Sequence, residues 1–364
     1  TQSSIGISSC KHHTFINQSI DIGVYIQAFN LILLGILYLT VRILSGLSQY
    51  IQLTVVLGLL FLLLGEAIAG FGQIHDFVAP RHLIAQMSGS FQNSESYDGL
   101  LACLLPLSLS LALRANDAPS KRYLVVPVLS GFCTFLVLTL IPASMNPCCW
   151  FIAGIGCYVV VLYHFRTFRS YKLLLRWYPK RVIFFTLLLF VLLFKIGDSM
   201  YTSMKNPEAI DFLREQSVGL IRRSPDQGYG LGSFSQLVST PHLSEKGSIS
   251  PDSPEIWAID NHTSYCFNEY LRITVENGIP GLLWFLLFLI TAFYNALRCG
   301  QIGLSGCLLA FGIFAYFSNI FDIIPLSIIL TIIPAPAVEG YRPATSLQET
   351  SRLLFDFKPI TQGL

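Results

Sequence analysis

Hydrophobic positions along this chain fall in long unbroken runs rather than in alternating or 3.6-periodic stripes, and that pattern sets the first expectation. A helix needs about 20 mostly apolar residues to cross about 30 Å of hydrocarbon. Runs of this kind cover 24–44, 51–71, 97–113, 123–141, 148–165, 182–196 and 279–297, followed by a longer stretch over 304–333. The last is interrupted by Ser318-Asn319-Ile320-Phe321-Asp322, which predicts either one span with a re-entrant piece or two short spans. The chain is therefore expected to be an all-α polytopic membrane protein with eight or nine membrane helices. It divides into an external segment (1–23), a bundle of about six helices (24–198), a large loop (199–278), C-terminal membrane helices (279–335) and a tail (336–364).

Cations orient the bundle, because short cytoplasmic loops accumulate Lys and Arg. Arg114, Lys121 and Arg122 fill one loop, and Arg166, Arg169, Lys172, Arg176, Lys180 and Arg181 fill the next but one, so both are expected on the cytoplasmic side. Alternation then puts 72–96, the uncharged 142–147 connection and the 197–278 loop outside. It also puts the first residues outside with no signal sequence before them, which predicts a natural protein that is longer at its N-terminus.

The large loop is too long for a plain connection and too patterned for disorder. IDFLREQSVGLIRRSP is amphipathic and helix-like, GYGLGSF is a glycine-punctuated turn, and NEYLRITVENG predicts a helix entering the membrane interface. Between them, HLSEKGSISPDSPE has the composition of a mobile loop.

Composition sharpens this picture. Of 364 residues, 53% are hydrophobic and 12% charged, with mean hydropathy +0.59, and an ordinary soluble domain carries about twice that charge. A soluble enzyme is excluded. The net charge of +2 and the lack of a basic stretch interleaved with aromatics argue against a nucleic-acid partner. Nine cysteines lie mostly inside apolar runs, where a thiol behaves as a small buried hydrophobe, and show no zinc-type spacing; no motif read from the chain calls for a metal or a cofactor, and none is expected.

Candidate chemistry concentrates in the large loop. Glu269, Arg272 and Glu276 recur at helical spacing, which puts two carboxylates around one guanidinium, a cluster that either binds or is solvated. His262 lies just before them, where a neutral imidazole could take a proton from an attacking hydroxyl. Upstream, Arg214, Arg222 and Arg223 precede Gly228, Gly230 and Gly232. Paired arginines suit phosphate oxygens, and glycines let a backbone approach a ligand; attraction of an interfacial helix to anionic lipid explains the arginines equally well. Arg81 stands in the second external loop, and Glu66 sits inside an apolar run, where an ionisable group is costly unless it faces protein.

These residues resemble a known family. Asn268-Glu269-Tyr270-Leu271 with Glu276-Asn277-Gly278 and Gly281-Leu282-Leu283 is similar to the HNxxLxxxxExGxxGLL signature of the O-antigen ligase superfamily, which also holds repeat-unit polymerases and bacterial protein O-oligosaccharyltransferases. The stretch 225–234 is similar to its PxxGxGxGxF element, Gly89-Ser90-Phe91-Gln92-Asn93 to its GxFxNP element, and Pro142-Ala143-Ser144 with Trp150 to its PATLSRxxW segment. The order matches from about residue 66 to 334. Phe267 stands where the signature has His, with His262 five residues earlier, and Pro147 stands where the SRxxW segment has Arg. Ile210 occupies roughly the place of the Arg in the family's GRxxxW element, with Arg214 the nearest cation.

The resemblance implies a GT-C-like helix bundle in a bacterial inner membrane, with a large periplasmic loop between two late membrane helices. It further implies metal-independent transfer of a glycan from an undecaprenyl-diphosphate carrier to lipid A-core, a growing glycan or a protein hydroxyl. On this reading His262 or Glu269 activates the acceptor, and Arg81, Arg214, Arg222 and Arg223 hold the diphosphate. Gly228, Gly230, Gly232, Asn268, Tyr270, Arg272 and Glu276 shape the substrate loop. A catalytically silent homologue that binds a lipid-linked glycan or assembles with a partner is the alternative, and a transporter the second alternative.

Overall fold

The computed structural model describes residues 25, 27–47, 49–75, 77, 87–91, 93–113, 125–143, 147–165, 176, 180, 207–234, 237 and 268–337. The expected span at 182–196, the N-terminal segment 1–23 and the tail from 338 onward lie outside them. The described residues hold no strand; their ordered elements are helices. In chain order these are α1 (Gln27–Leu47), α2 (Gln49–Ile74), α3 (Ser94–Leu113), α4 (Val125–Ala143), α5 (Pro147–His164), α6 (Pro207–Arg223), α7 (Glu269–Arg298), α8 (Ile302–Phe317), α9 (Ile324–Ile332) and α10 (Pro334–Ala337).

Among the described residues, five helices are long and apolar enough to cross a bilayer: Gln27–Leu47, Ile51–Ile74, Ser94–Leu113, Val125–Pro142 and Glu269–Arg298. The protein is thus a multi-pass membrane protein. Large apolar side chains such as Phe29, Ile32, Phe61, Ile68, Phe132, Phe135, Leu283, Trp284 and Ile290 are exposed on these helices. In water such a surface would be a liability; against lipid tails it is matched to its solvent.

The chain forms two compact units, Thr1–Leu37 with Asn206–Leu287 and Tyr38–Lys205 with Phe288–Leu364. The second is a bundle built around α3, which is buried on nearly all sides and packs against α4, α5 and α8, while α2 packs against α3 and α4. Small residues let these helices approach closely, the usual device where lipid removes any hydrophobic drive between helices. A β-carbon on Gly306 of α8 would lie 2.7 Å from Pro106 Cβ on α3 and 2.8 Å from the Gly156 carbonyl oxygen on α5, and one on Gly99 would meet the Phe314 ring.

Glu66, expected to face protein from inside an apolar run, does so. Its carboxylate accepts from the Ser90 amide at 3.0 Å and from the Ser90 hydroxyl. Two turns on, Gln73 Oε1 accepts from the Ser88 and Gly89 amides, both at 2.8 Å, and its Nε2 donates to the Gly89 carbonyl at 3.0 Å. These two α2 side chains clamp the turn that leads into α3, where Gly89 takes φ 55 and Asn93 Oδ1 accepts from the Glu95 amide at 3.0 Å. Trp150 Nε1 donates to the Ile141 carbonyl at 2.7 Å, joining the start of α5 to the end of α4. Gly89, Ser90, Asn93 and Trp150, from the two short motifs, thus have structural duties in the bundle.

The interrupted C-terminal stretch resolves into a helical hairpin. Its first arm, α8, ends at Ser318 in an extended conformation, and Asn319 Nδ2 donates to Asp322 Oδ2 at 3.1 Å across the break before α9. The second arm returns far enough for Gln301 Nε2, just before α8, to donate to the Pro336 carbonyl at 3.0 Å. With 16 residues in α8, each arm is about 24 Å or less. A topology reporter fused after Gly300 and one fused after Ala337 are expected to report the same side of the membrane; opposite sides would contradict the hairpin.

Candidate functional site

Residues 207–234 and 268–287, within the first unit, hold most of the singled-out side chains. The amphipathic stretch folds as α6, burying Leu213, Ser217 and Leu220 at helical spacing while Glu215, Gln216, Val218, Arg222 and Arg223 are exposed. Arg222 and Arg223 occupy the last turn, where cations complement the partial negative charge of a helix C-terminus. Arg214 lies two turns earlier and is half-buried.

The predicted interfacial helix and the following span form a single element, α7, broken at Gly278 (φ 69, ψ −176). The break is sharp. Tyr270 and Phe285 stand fifteen positions apart, about 22 Å in a straight helix, yet their ring centroids are 5.9 Å apart. A β-carbon on Gly281 would meet Asn277 Cβ and lie 3.8 Å from Ile273 Cγ2. Residues 269–277 therefore fold back on the membrane arm, which begins at Ile279 as the hydropathy pattern predicts.

Breaking a helix strips its backbone of partners. Val275 O would normally bond the Ile279 amide, and Glu276 O would face Pro280, which has no amide hydrogen. The glycine loop pairs all three of these groups: Tyr229 N donates to Val275 O (2.9 Å), Gly230 N to Glu276 O (2.8 Å), and Ile279 N to Pro225 O (2.8 Å). This contact demands the glycines. Gly228 has φ 66, and a β-carbon there would sit 2.5 Å from Glu276 O and 2.6 Å from Gly278 N; one on Gly278 would sit 2.7 Å from Asp226 O. The loop is held to α6 as well, since Ser224 Oγ donates to Gly228 O (3.1 Å) and Tyr229 Oη to Leu220 O (3.4 Å). Two motifs about forty residues apart are spliced through the main chain, with the arginine pair beside the joint.

The charged face of 269–277 is buried rather than solvated. Glu269, Arg272 and Glu276 are 1%, 7% and 4% exposed. Arg272 Nη1 lies 3.6 Å from Glu269 Oε1, and its Nε donates to Glu276 Oε1 at 3.4 Å. Asn268 is an N-cap: its Oδ1 accepts from the Tyr270 (3.0 Å) and Leu271 (3.2 Å) amides, a common use of Asn at this position. Tyr270 is half-buried against Phe285.

Of the residues singled out from sequence, Arg222, Arg223, Gly228, Gly230, Gly232, Asn268, Glu269, Tyr270, Arg272 and Glu276 thus lie on α6, its loop and the short arm of α7. His262 and Arg81 lie outside the described residues. Gln27 on α1 is a residue that sequence reasoning missed: its Oε1 would lie 3.0 Å from a β-carbon on Gly232. A lone Gln at the end of an apolar run gives no signal of that proximity. Gly230 is the open position, with φ 99 and nothing near a β-carbon. Among the described residues no group of three His, Cys, Asp or Glu side chains is arranged to hold a metal ion.

What the fold and these elements define is a multi-pass α-helical membrane protein with a polar, glycine-spliced subdomain at the head of a late membrane helix. The chain matches no protein-family model and no curated protein.

Proposed function

We propose that the protein transfers a glycan from an undecaprenyl-diphosphate carrier to an acceptor hydroxyl on the periplasmic face of a bacterial inner membrane, in a GT-C-like bundle. The observation that carries this reading is the splice itself. The two segments that most resemble the O-antigen ligase superfamily, 225–234 and 268–283, meet through three main-chain hydrogen bonds, and two exposed arginines end the helix leading into them.

In this reading the acceptor oxygen attacks the anomeric carbon with inversion, the bond from that carbon to the diphosphate oxygen breaks, and undecaprenyl diphosphate leaves. His262 takes the acceptor proton. Arg222 and Arg223, with Arg214 and Arg81, stabilise the charge that develops on the diphosphate, a task that fixed cations perform without a metal ion. Glu269, the alternative base, is enclosed with Arg272, so His262 is the better candidate. The silent-homologue reading rests on Phe267 and Pro147, which stand where the family signatures carry His and Arg.

The test is transfer in reconstituted vesicles from an undecaprenyl-diphosphate oligosaccharide, with lipid A-core and a Ser/Thr-rich protein offered as acceptors. The parent chain is expected to glycosylate one of them or extend the donor, and His262→Ala to lower the rate about 100-fold. A parent that does none of these supports the silent homologue.

A further inference from the structure

We propose that Tyr229, on a loop face it shares with Asp226 and Gln227, is a sugar subsite: its ring takes the first sugar of the lipid-linked glycan, next to the diphosphate that Arg222 and Arg223 hold. This rests on the transfer reading and names what the glycine loop recognises in the donor.

Tyr229 is tied to both helices. Its main-chain amide donates to Val275 O on α7 at 2.9 Å, and its hydroxyl donates to Leu220 O on α6 at 3.4 Å. Leu220 O also accepts the Ser224 amide at 3.2 Å, so the hydroxyl reaches the last turn of α6, which carries Arg222 and Arg223. Although held at both ends, Tyr229 is 37% exposed. A side chain already fixed in this way loses little further freedom when a ligand arrives, which favours it as a contact.

The surroundings favour a sugar over a lipid chain. Val275 precedes the break at Gly278, and the apolar arm begins at Ile279, so the backbone of Tyr229 is attached on the polar side of the break. Asp226, Gln227 and Gly230, its neighbours in the loop, are exposed. Gly228 is closed by the Glu276 backbone and Gly232 by the Gln27 amide, whereas nothing lies within 4 Å of a β-carbon built on Gly230, so the loop is open beside Tyr229. A pyranose has a face of C–H groups and a rim of hydroxyls. The negative face of an aromatic ring suits the first, and a carboxylate with a primary amide supplies acceptors and donors for the second. In the donor the first sugar is bonded directly to the diphosphate. A ring anchored on the turn that bears the arginines is therefore placed to meet it.

The experiment uses the full chain in nanodiscs of fixed lipid composition. Native mass spectrometry measures binding of undecaprenyl-diphosphate oligosaccharide and of bare undecaprenyl diphosphate to the parent, Tyr229→Phe and Tyr229→Leu. Phe keeps the ring without the hydroxyl, Leu lacks both, and neither removes the main-chain bonds that splice the loop to α7. The parent is expected to bind the glycan-bearing lipid more tightly than the bare one. Tyr229→Leu should lower that preference about fivefold, and Tyr229→Phe by less than about twofold, with binding of the bare lipid nearly unchanged in both. An equal preference in the parent and Tyr229→Leu, or no preference in the parent, overturns the subsite and leaves the transfer reading standing. Equal weakening of both lipids in Tyr229→Leu also overturns it, by making Tyr229 an interfacial anchor or a contact for the isoprenoid. A loss in Tyr229→Phe as large as in Tyr229→Leu overturns the role of the ring. A parent that binds neither lipid overturns the transfer reading and the subsite with it. If Tyr229→Leu does not fold, Tyr229→Met takes its place in the same comparison.

Discussion

Gly228→Val is expected to detach the glycine loop from α7 and to destabilise the protein by about 4 kcal/mol or more. The left-handed backbone at φ 66 costs an L-residue about 1–2 kcal/mol, and a β-branched one more. The new β-carbon meets the Glu276 carbonyl oxygen at 2.5 Å and the Gly278 amide nitrogen at 2.6 Å. Both are backbone atoms at a junction already bent, so no rotamer relieves the overlap. Relief requires the loop to move away, which abandons the bonds to Val275 O and Glu276 O, each buried polar group left unpaired costing about 1–3 kcal/mol. Gly230→Ala is the matched control. It has the unfavourable φ of 99 but open space around a β-carbon, so it should lose only about 1–2 kcal/mol. Thermal unfolding of the detergent-solubilised protein separates the two, and equal losses would contradict the splice.

The second large effect is expected from Arg222→Ala/Arg223→Ala, which should lower glycan transfer at least about 1000-fold with little change in stability. Both side chains are exposed at the end of α6, so their removal leaves no cavity and strands no buried partner, and surface changes of this kind stay within about 0.5 kcal/mol. Transition-state charge is another matter. Each group that stabilises a leaving anion contributes about 100-fold or more, and under the proposed function the two adjacent guanidiniums act on the same diphosphate. If the arginines served only to hold α6 against anionic lipid, transfer would fall little in vesicles of fixed composition and the effect would vanish in neutral lipid. Measuring transfer in both lipid mixtures distinguishes these cases.

Much of the fold was legible because bilayer thickness and backbone satisfaction leave few choices. The runs at 24–44, 51–71, 97–113, 123–141 and 279–297 correspond to the five apolar helices, and the start of the last at Ile279 follows from Gly278 and Pro280. The 304–333 stretch was legible only as interrupted. Whether its halves continue or return depends on a bond between Gln301 and Pro336, 35 positions apart, which periodicity cannot register. In the site, the sequence showed a glycine turn and a charged helix face but not that one completes the other. The joining bonds run through main-chain atoms of Pro225, Tyr229 and Gly230, whose side chains carry no trace of the pairing. For the same reason Glu269, Arg272 and Glu276 could be read as solvated or binding, whereas a helix folded back at Gly278 encloses them. Asn268, which the resemblance assigns to the substrate loop, has its carbonyl oxygen engaged in a cap.

The central claim is that the joint between α6, its glycine loop and α7 presents Arg222 and Arg223 to a lipid-linked diphosphate. Its most direct test is binding of undecaprenyl-diphosphate oligosaccharide to the purified protein in nanodiscs, measured by native mass spectrometry for the parent and for Arg222→Ala/Arg223→Ala. Binding by the parent that free diphosphate competes away, and that the double variant loses, is the predicted result. Equal binding by parent and variant, or equal binding of undecaprenol without the diphosphate, would contradict it.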